Sequence, residues 1–166
     1  MSKKKNAPLK IFWQVFITVA VFGVVWLIVT APKRPASSIT TREVALTCTT
    51  DMATQFHIHT GLKIIIGGKP QDIPANIGIH PQCMNSLHTH DGTGQIHVES
   101  PEKRDFTLAD FFAVWGTSFD STQILSQKID DHHIIRVTVN GKTVETYEHT
   151  VLVDHDDIVI SYEEKK

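Results

Sequence analysis

The ten histidines of this 166-residue chain are unevenly spread, and six of them, His57, His59, His80, His88, His90 and His97, fall within 57–97. Four of the six form His-x-His pairs, His57-Ile58-His59 and His88-Thr89-His90. On a β-strand, residues two apart project to the same face, so each pair presents two imidazoles side by side. Neutral imidazole is a good ligand for borderline cations such as Zn²⁺ and Cu²⁺, and a strand fixes the direction of each ligand.

The second pair is followed by Asp91-Gly92-Thr93-Gly94, which reads as a four-residue connection between strands over 86–90 and 95–100. If that hairpin closes symmetrically, His88 faces His97, His90 faces Gln95, and Glu99 is next along the same face. Three imidazoles and a carboxylate then converge. The leading ligand set for zinc or copper is therefore His88, His90 and His97, with His57, His59 and Glu99 next. His80, His132, His133, His149 and His155 read as surface residues. A structural reading stands beside this one: the histidines are solvated on a polar strand face, and Asp91 and Thr93 bond local backbone in a turn.

Signatures of turnover are absent. The metal-hydrolase pattern His-x-His-x-Asp-His is not matched, because Asp91 comes one place early and no histidine follows it. His-Glu-x-x-His, Gly-x-Ser-x-Gly and a phosphate-cradling glycine loop are missing too. The chemistry expected is binding without catalysis, with no catalytic residue assigned, and a small metallohydrolase is the remaining enzymatic alternative. Cys48 and Cys83 are an even pair, expected to form a disulfide if the domain lies in an oxidising compartment. The rival role, Cys83 as a thiolate ligand with His88 on copper, lacks a methionine at suitable range after His88.

These residues need a scaffold. From Gln55 to Ile66 the chain alternates, with Phe56, Ile58, Thr60, Leu62, Ile64 and Ile66 on one face and His57, His59, Gly61, Lys63 and Ile65 on the other. Gly67-Gly68-Lys69-Pro70 ends that strand, and a loop runs on toward Pro81. Thr107 reads as a helix N-cap, Asp110 as the third helical residue and Gly116 as the left-handed stop. Leu108, Phe111, Phe112 and Trp115 supply the helix's apolar face, which packing against a core explains better than a partner surface does. Residues 134–139 and 142–144 flank Asn140-Gly141, the strongest hairpin signal in the chain. Residues 151–153, an acidic turn at 154–157 and residues 158–162 supply one or two more strands. The fold class is a small, mainly β, α+β domain with one short helix on a sheet.

The rest of the chain concerns placement. All 18 acidic residues lie from Glu43 onward, whereas 7 of the 16 basic ones precede it, so residues 1–42 carry +7 and residues 43–166 carry 9 − 18 = −9. A domain at −9 repels phosphate backbones, which excludes a nucleic-acid partner held by general electrostatics. Residues 11–31 contain no charge and are long enough as a helix to span a bilayer core. The expected organisation is a basic cytoplasmic tail at 1–10, a single transmembrane helix at 11–31, a linker at 32–42 and an extracytoplasmic domain at 43–166. Lys3, Lys4, Lys5 and Lys10 before the span orient the N-terminus inward. A cleaved signal ending at Ala31 is the alternative, disfavoured by the length of the apolar run and by Pro32 after the cut.

The run GIHPQCMNSLHTHDGTGQIHVESPEKRDFTLADFFAVWG resembles a family of uncharacterised prokaryotic proteins, often membrane-anchored, that share an HTHD, IHVES, FTL, FF and WG signature. With the His-x-His strand before it and the Val-Asn-Gly and Asp-Asp-Ile segments after it, the resemblance covers most of 56–162. It implies a membrane anchor and carries no activity over. The C-terminal order of hairpin, loop, VLVDHDDIVISY and end is similar to the closing part of a β-grasp domain. Where members of the family put Gly-Asp before the final strand, this chain has His155-Asp156-Asp157. Two functions stay open: a copper- or zinc-binding domain held at the membrane, and an interaction or accessory module of a membrane complex.

Overall fold

The computed structural model describes residues 39–51 and 53–165. The span expected at 11–31, its basic flank and most of the linker lie outside the described residues. Among the described residues no helix is long and apolar enough to cross a membrane.

The chain from Ile39 onward runs through helix α1 (Thr41–Leu46), β1 (Cys48–Thr49), β2 (Phe56–Ile66), β3 (Lys69–Gln71), β4 (Met84–Asn85), β5 (Leu87–His88), β6 (Gln95–Ser100) and helix α2 (Leu108–Trp115). It continues through β7 (Gln123–Ile124), β8 (Gln127–Lys128), β9 (His133–Val139), β10 (Lys142–Val144), a 3₁₀ turn (Tyr147–His149) and β11 (Asp157–Glu164). The domain is small and mostly β, with few helices.

The main sheet has the order β10-β9-β11-β2-β6-β5, and β3 also pairs with β2. The two central strands, β2 and β11, are parallel, and their neighbours β6 and β9 run antiparallel to them. Alternation along β2 decides the layers. Thr60, Leu62 and Ile64 are buried on one face together with Ile96 and Val98 of β6 and Ile158 and Ile160 of β11. Leu108, Phe111 and Phe112 of α2 are buried in the same core. The helix face read as packing therefore packs. His57, His59 and Lys63 project from the opposite side of β2, away from that core.

Local chemistry sets the ends of the elements. The Asp110 carboxylate accepts hydrogen bonds from both the N–H and the hydroxyl of Thr107, each at 2.9 Å, and closes the first turn of α2. Gly116 stops the helix with φ of 76°. Asn140 and Gly141 take φ of 52° and 77°, the two left-handed angles of the tight turn that joins β9 to β10.

Three expectations are corrected. Gly67-Gly68 does not end in a loop: both residues take positive φ, 55° and 77°, and fold Lys69–Gln71 back onto β2 as a short hairpin. The strand expected over 86–90 stops at His88. Residues 151–153 form no strand, only an isolated bridge from Val151 to Thr107. His155, in the turn before β11, takes a left-handed φ of 63°.

Candidate metal centre

Three strands deliver one row of imidazoles. In register, His59 of β2 lies opposite His97 of β6, and His97 lies opposite His88 of β5. The next row along pairs His57 with Glu99. The ring of His97 stands at the centre: its centroid is 4.5 Å from His59, 4.5 Å from His90, 5.4 Å from His88 and 5.9 Å from His57. Ligand nitrogens of His57, His59 and His97 lie within 4.8 Å of one another, and those of His88, His90 and His97 do the same. Two nitrogens bound to one Zn²⁺ stand at most about 4 Å apart, so modest side-chain adjustment closes either set on an ion.

His88 is fully buried, with 0% relative exposure. Its Nδ1 lies 3.1 Å from the backbone oxygen of Asn85. A carbonyl can only accept, so Nδ1 carries the proton and Nε2 keeps its lone pair. That Nε2 is buried with no hydrogen-bond partner, and Nδ1 of His97 is in the same condition. Glu99 Oε1 is 3.8 Å from His88 Nε2, beyond hydrogen-bond reach, and 3.4 Å from His57 Nε2. Buried nitrogens are nearly always satisfied, and leaving one unpaired costs about 1–3 kcal/mol. Two such atoms stand on directly opposed residues, and the lone pair of His88 Nε2 is free to accept.

The electrostatics agree with that. Burial pushes the pKa of His88 below its ordinary 6.5, against the opposing pull of the Asn85 carbonyl and the Glu99 carboxylate. His97 is driven down to about 4, first by burial and then by the four imidazoles His59, His90, His88 and His57 around it. Both rings are thus neutral at pH 7, the form that ligates a cation.

The second His-x-His pair is held by the residue between its members. Thr89 is buried; its hydroxyl donates to the Pro74 carbonyl at 2.9 Å and accepts from the Ile77 amide at 3.1 Å. Its own N–H reaches the Ile77 carbonyl and its carbonyl receives the Asn76 N–H. The backbone of Thr89 thus bonds 76–77 on the side away from β6; β5 ends at His88, and the expected pairing of His90 with Gln95 is not made. The ring of His90 nevertheless reaches His97. Gly78 passes beneath the strand at φ of 70°, where a Cβ would stand 2.4 Å from the Leu87 carbonyl oxygen.

Asn85 is anchored in turn. Its side-chain NH₂ donates to the Ala45 carbonyl at 3.0 Å, and its Oδ1 pairs with His80 Nε2 at 3.1 Å. Cys48 and Cys83 are joined by a disulfide with Cα atoms 5.4 Å apart, which ties β1 to the chain entering β4. Cys83 is consumed there, and among the described residues no free cysteine remains for a copper-thiolate site. On the other flank, Asp154 Oδ1 accepts from the His59 N–H at 2.9 Å and the His59 carbonyl receives the His155 N–H at 2.7 Å.

The two readings of His-Thr-His-Asp-Gly divide between residues. Asp91 accepts from the Thr93 N–H at 2.9 Å and from its hydroxyl at 2.5 Å, so it serves the turn. Its carboxyl is held below the ordinary range chiefly by those Thr93 bonds. His88 and His97 serve no such turn. The idea of a uniformly solvated histidine face fails at His88. Among the histidines read as surface residues, His80 braces Asn85, and His133 bonds Asp130 and stacks on Tyr162 with centroids 4.9 Å apart. The supporting roles of Asn85, Gly78 and Thr89 escape sequence reading, because each rests on contacts with distant chain.

Comparison of the chain with family models, with curated proteins and with solved structures returns no match. The geometry of the histidine cluster is what speaks to function.

Proposed function

We propose that this protein is a membrane-tethered, extracytoplasmic binding protein that holds Cu²⁺ or Zn²⁺ in the histidine cluster of β2, β5 and β6 and does not turn over a substrate. The observation that carries the reading is the lone pair of His88 Nε2, sealed from water with no hydrogen-bond partner and set beside neutral His97. A cation is the partner that suits an all-imidazole set with one nearby carboxylate, since the donors are borderline bases and Glu99 offsets part of the ion's charge. Oxidation of Cys48 with Cys83 favours an extracytoplasmic setting, as does the uncharged run at 11–31 with lysines before it. The sheet order, with parallel central strands and α2 between β6 and β9 in the chain, supports assignment of the scaffold to the β-grasp type, beyond the C-terminal part that first resembled it.

The test is metal analysis of the purified full-length chain after equilibration with Zn²⁺ or Cu²⁺. Retention through gel filtration, and its loss in His97→Gln with an unchanged circular dichroism spectrum, is the expected result. A wild-type chain that binds neither ion more tightly than the variant would remove the metal reading and leave the interaction module.

A further inference from the structure

Taking the metal reading as its basis, we infer that the cluster is a two-ion centre in which the imidazole of His97 bridges one divalent cation held by His57 and His59 and a second held by His88 and His90.

The donor count is the first reason. Five imidazoles and the Glu99 carboxylate gather around one point of the sheet, more than the four positions of a tetrahedral ion. Connectivity is the second. His57 and His59 contact each other with centroids 4.5 Å apart, His88 and His90 contact each other at 4.9 Å, and both pairs contact His97. Among the described residues, every ring contact between the two pairs passes through His97. The two three-nitrogen sets likewise share that residue alone.

Strand geometry explains the symmetry. β6 lies between β2 and β5, so a side chain on its open face has one neighbour on each side. His97 has His59 on one side and His88 on the other, and each of those carries its companion two residues along or back. An imidazole has two nitrogens on opposite edges of the ring, and a residue placed between two ligand pairs can offer one to each. Glu99, two residues along β6, repeats the arrangement with a carboxylate: the same Oε1 is 3.4 Å from His57 Nε2 and 3.8 Å from His88 Nε2.

The proton balance is simple. Neutral His97 keeps one N–H, so the first ion binds its free nitrogen and the second displaces the remaining proton, which leaves to water. Loading the second ion therefore releases one proton per chain from His97. The ions are then separated by the width of an imidazole ring, wider than the roughly 3.5–4 Å of the usual two-metal hydrolytic sites. This suits storage or electron exchange better than clamping one phosphate between two metals.

The full-length chain, loaded with Cu²⁺ alone and freed of excess ion, decides the matter by stoichiometry and electron paramagnetic resonance. Two Cu²⁺ per chain with a half-field transition, and an integrated signal well short of two spins at low temperature, is the expected result. The double variant His57→Gln/His59→Gln, changed at positions outside the core, should hold one Cu²⁺ with a full single-spin signal. One Cu²⁺ per wild-type chain would overturn the bridge while leaving the binding reading intact. Two Cu²⁺ with two uncoupled spins would also overturn it. A chain that retains no Cu²⁺ would overturn both.

Discussion

The backbone oxygen of Asn85 stands 3.1 Å from Nδ1 of His88, three residues further along the chain, and this one bond decides which nitrogen of a sealed imidazole keeps its lone pair. The tautomer is fixed from behind, by a carbonyl whose own residue is anchored to α1 and to His80. Partners of this kind orient a ligand before any ion arrives and raise its basicity.

Zinc should therefore stabilise the fold. A ligand that binds only the native state at 100 times its dissociation constant adds about 2.7 kcal/mol. Thermal unfolding of the full-length chain with and without Zn²⁺ measures this. The shift should vanish in His97→Gln, and a variant that keeps it would move the site elsewhere.

Acid should weaken the metal-free protein earlier than carboxylate titration alone would. The pKa values of His88 and His97 are depressed in the folded state, so below their ordinary 6.5 the unfolded chain binds protons that the native chain does not. Stability is then flat above about 6.5, falls as the pH drops, and stops falling on account of His97 below about 4. Asp91, Asp120 and Asp130, held below their ordinary 3.8 mainly by hydrogen bonds, add a second loss at still lower pH. Urea midpoints between pH 4 and pH 8 in a chelating buffer check the order, and a flat profile down to pH 4 would contradict it.

Gly78→Ala should damage the site without touching a ligand. Its Cβ would meet the Leu87 carbonyl at 2.4 Å, and φ of 70° disfavours any side chain there. Displacement of β5 should cost about 1–3 kcal/mol of stability. Metal affinity should fall roughly 10–100-fold, as it does when ligand supports are lost. Calorimetric titration of the variant reads the second effect, and wild-type affinity would show that β5 is not the determinant.

Thiol labelling of unreduced, unfolded chain should find no reactive cysteine. Reduction should cost about 3–4 kcal/mol for a bridge of 35 residues' separation. Two labelled thiols per chain in protein isolated without reductant would remove the bridge.

Protease added to intact cells should digest the histidine-bearing domain once a cleavable site is introduced into it. Protection until the membrane is broken would reverse the orientation expected from the lysines before 11–31. Mature chains beginning at residue 32 or later would replace the anchor by a secreted form.

What could be read in the sequence was whatever depends on neighbours in the chain. The alternation of β2, the caps of α2 and the Asn140-Gly141 turn are local events, and the structure has them where the pattern put them. The opposition of His88 and His97 followed from counting across Asp91-Gly92-Thr93-Gly94, although the connection is longer than the count assumed. The anchoring of Thr89 to Pro74 and Ile77 was not legible, because those partners lie far back in the chain. The two-residue strands β1, β4, β7 and β8 carry too few residues for a period to show. That His57 and His59 join the hairpin histidines depends on β2 lying beside β6, a choice of strand order that no local pattern specifies.

The bond between Cys48 and Cys83 also sets how the domain bears load. If the chain is pulled between residue 39 and residue 165, tension entering at Cys48 crosses the two sulfurs to Cys83, and the 35 residues of separation between them carry none. β2 lies wholly inside that shielded loop, so the strand bearing His57 and His59 is not drawn out of the sheet by its own backbone. At about 3.3–3.6 Å per residue, the oxidised chain stretches roughly 120 Å less than the reduced one. A domain under such tension would thus open from α1 and β11, with His57 and His59 off the path of the force and His88, His90 and His97 on it.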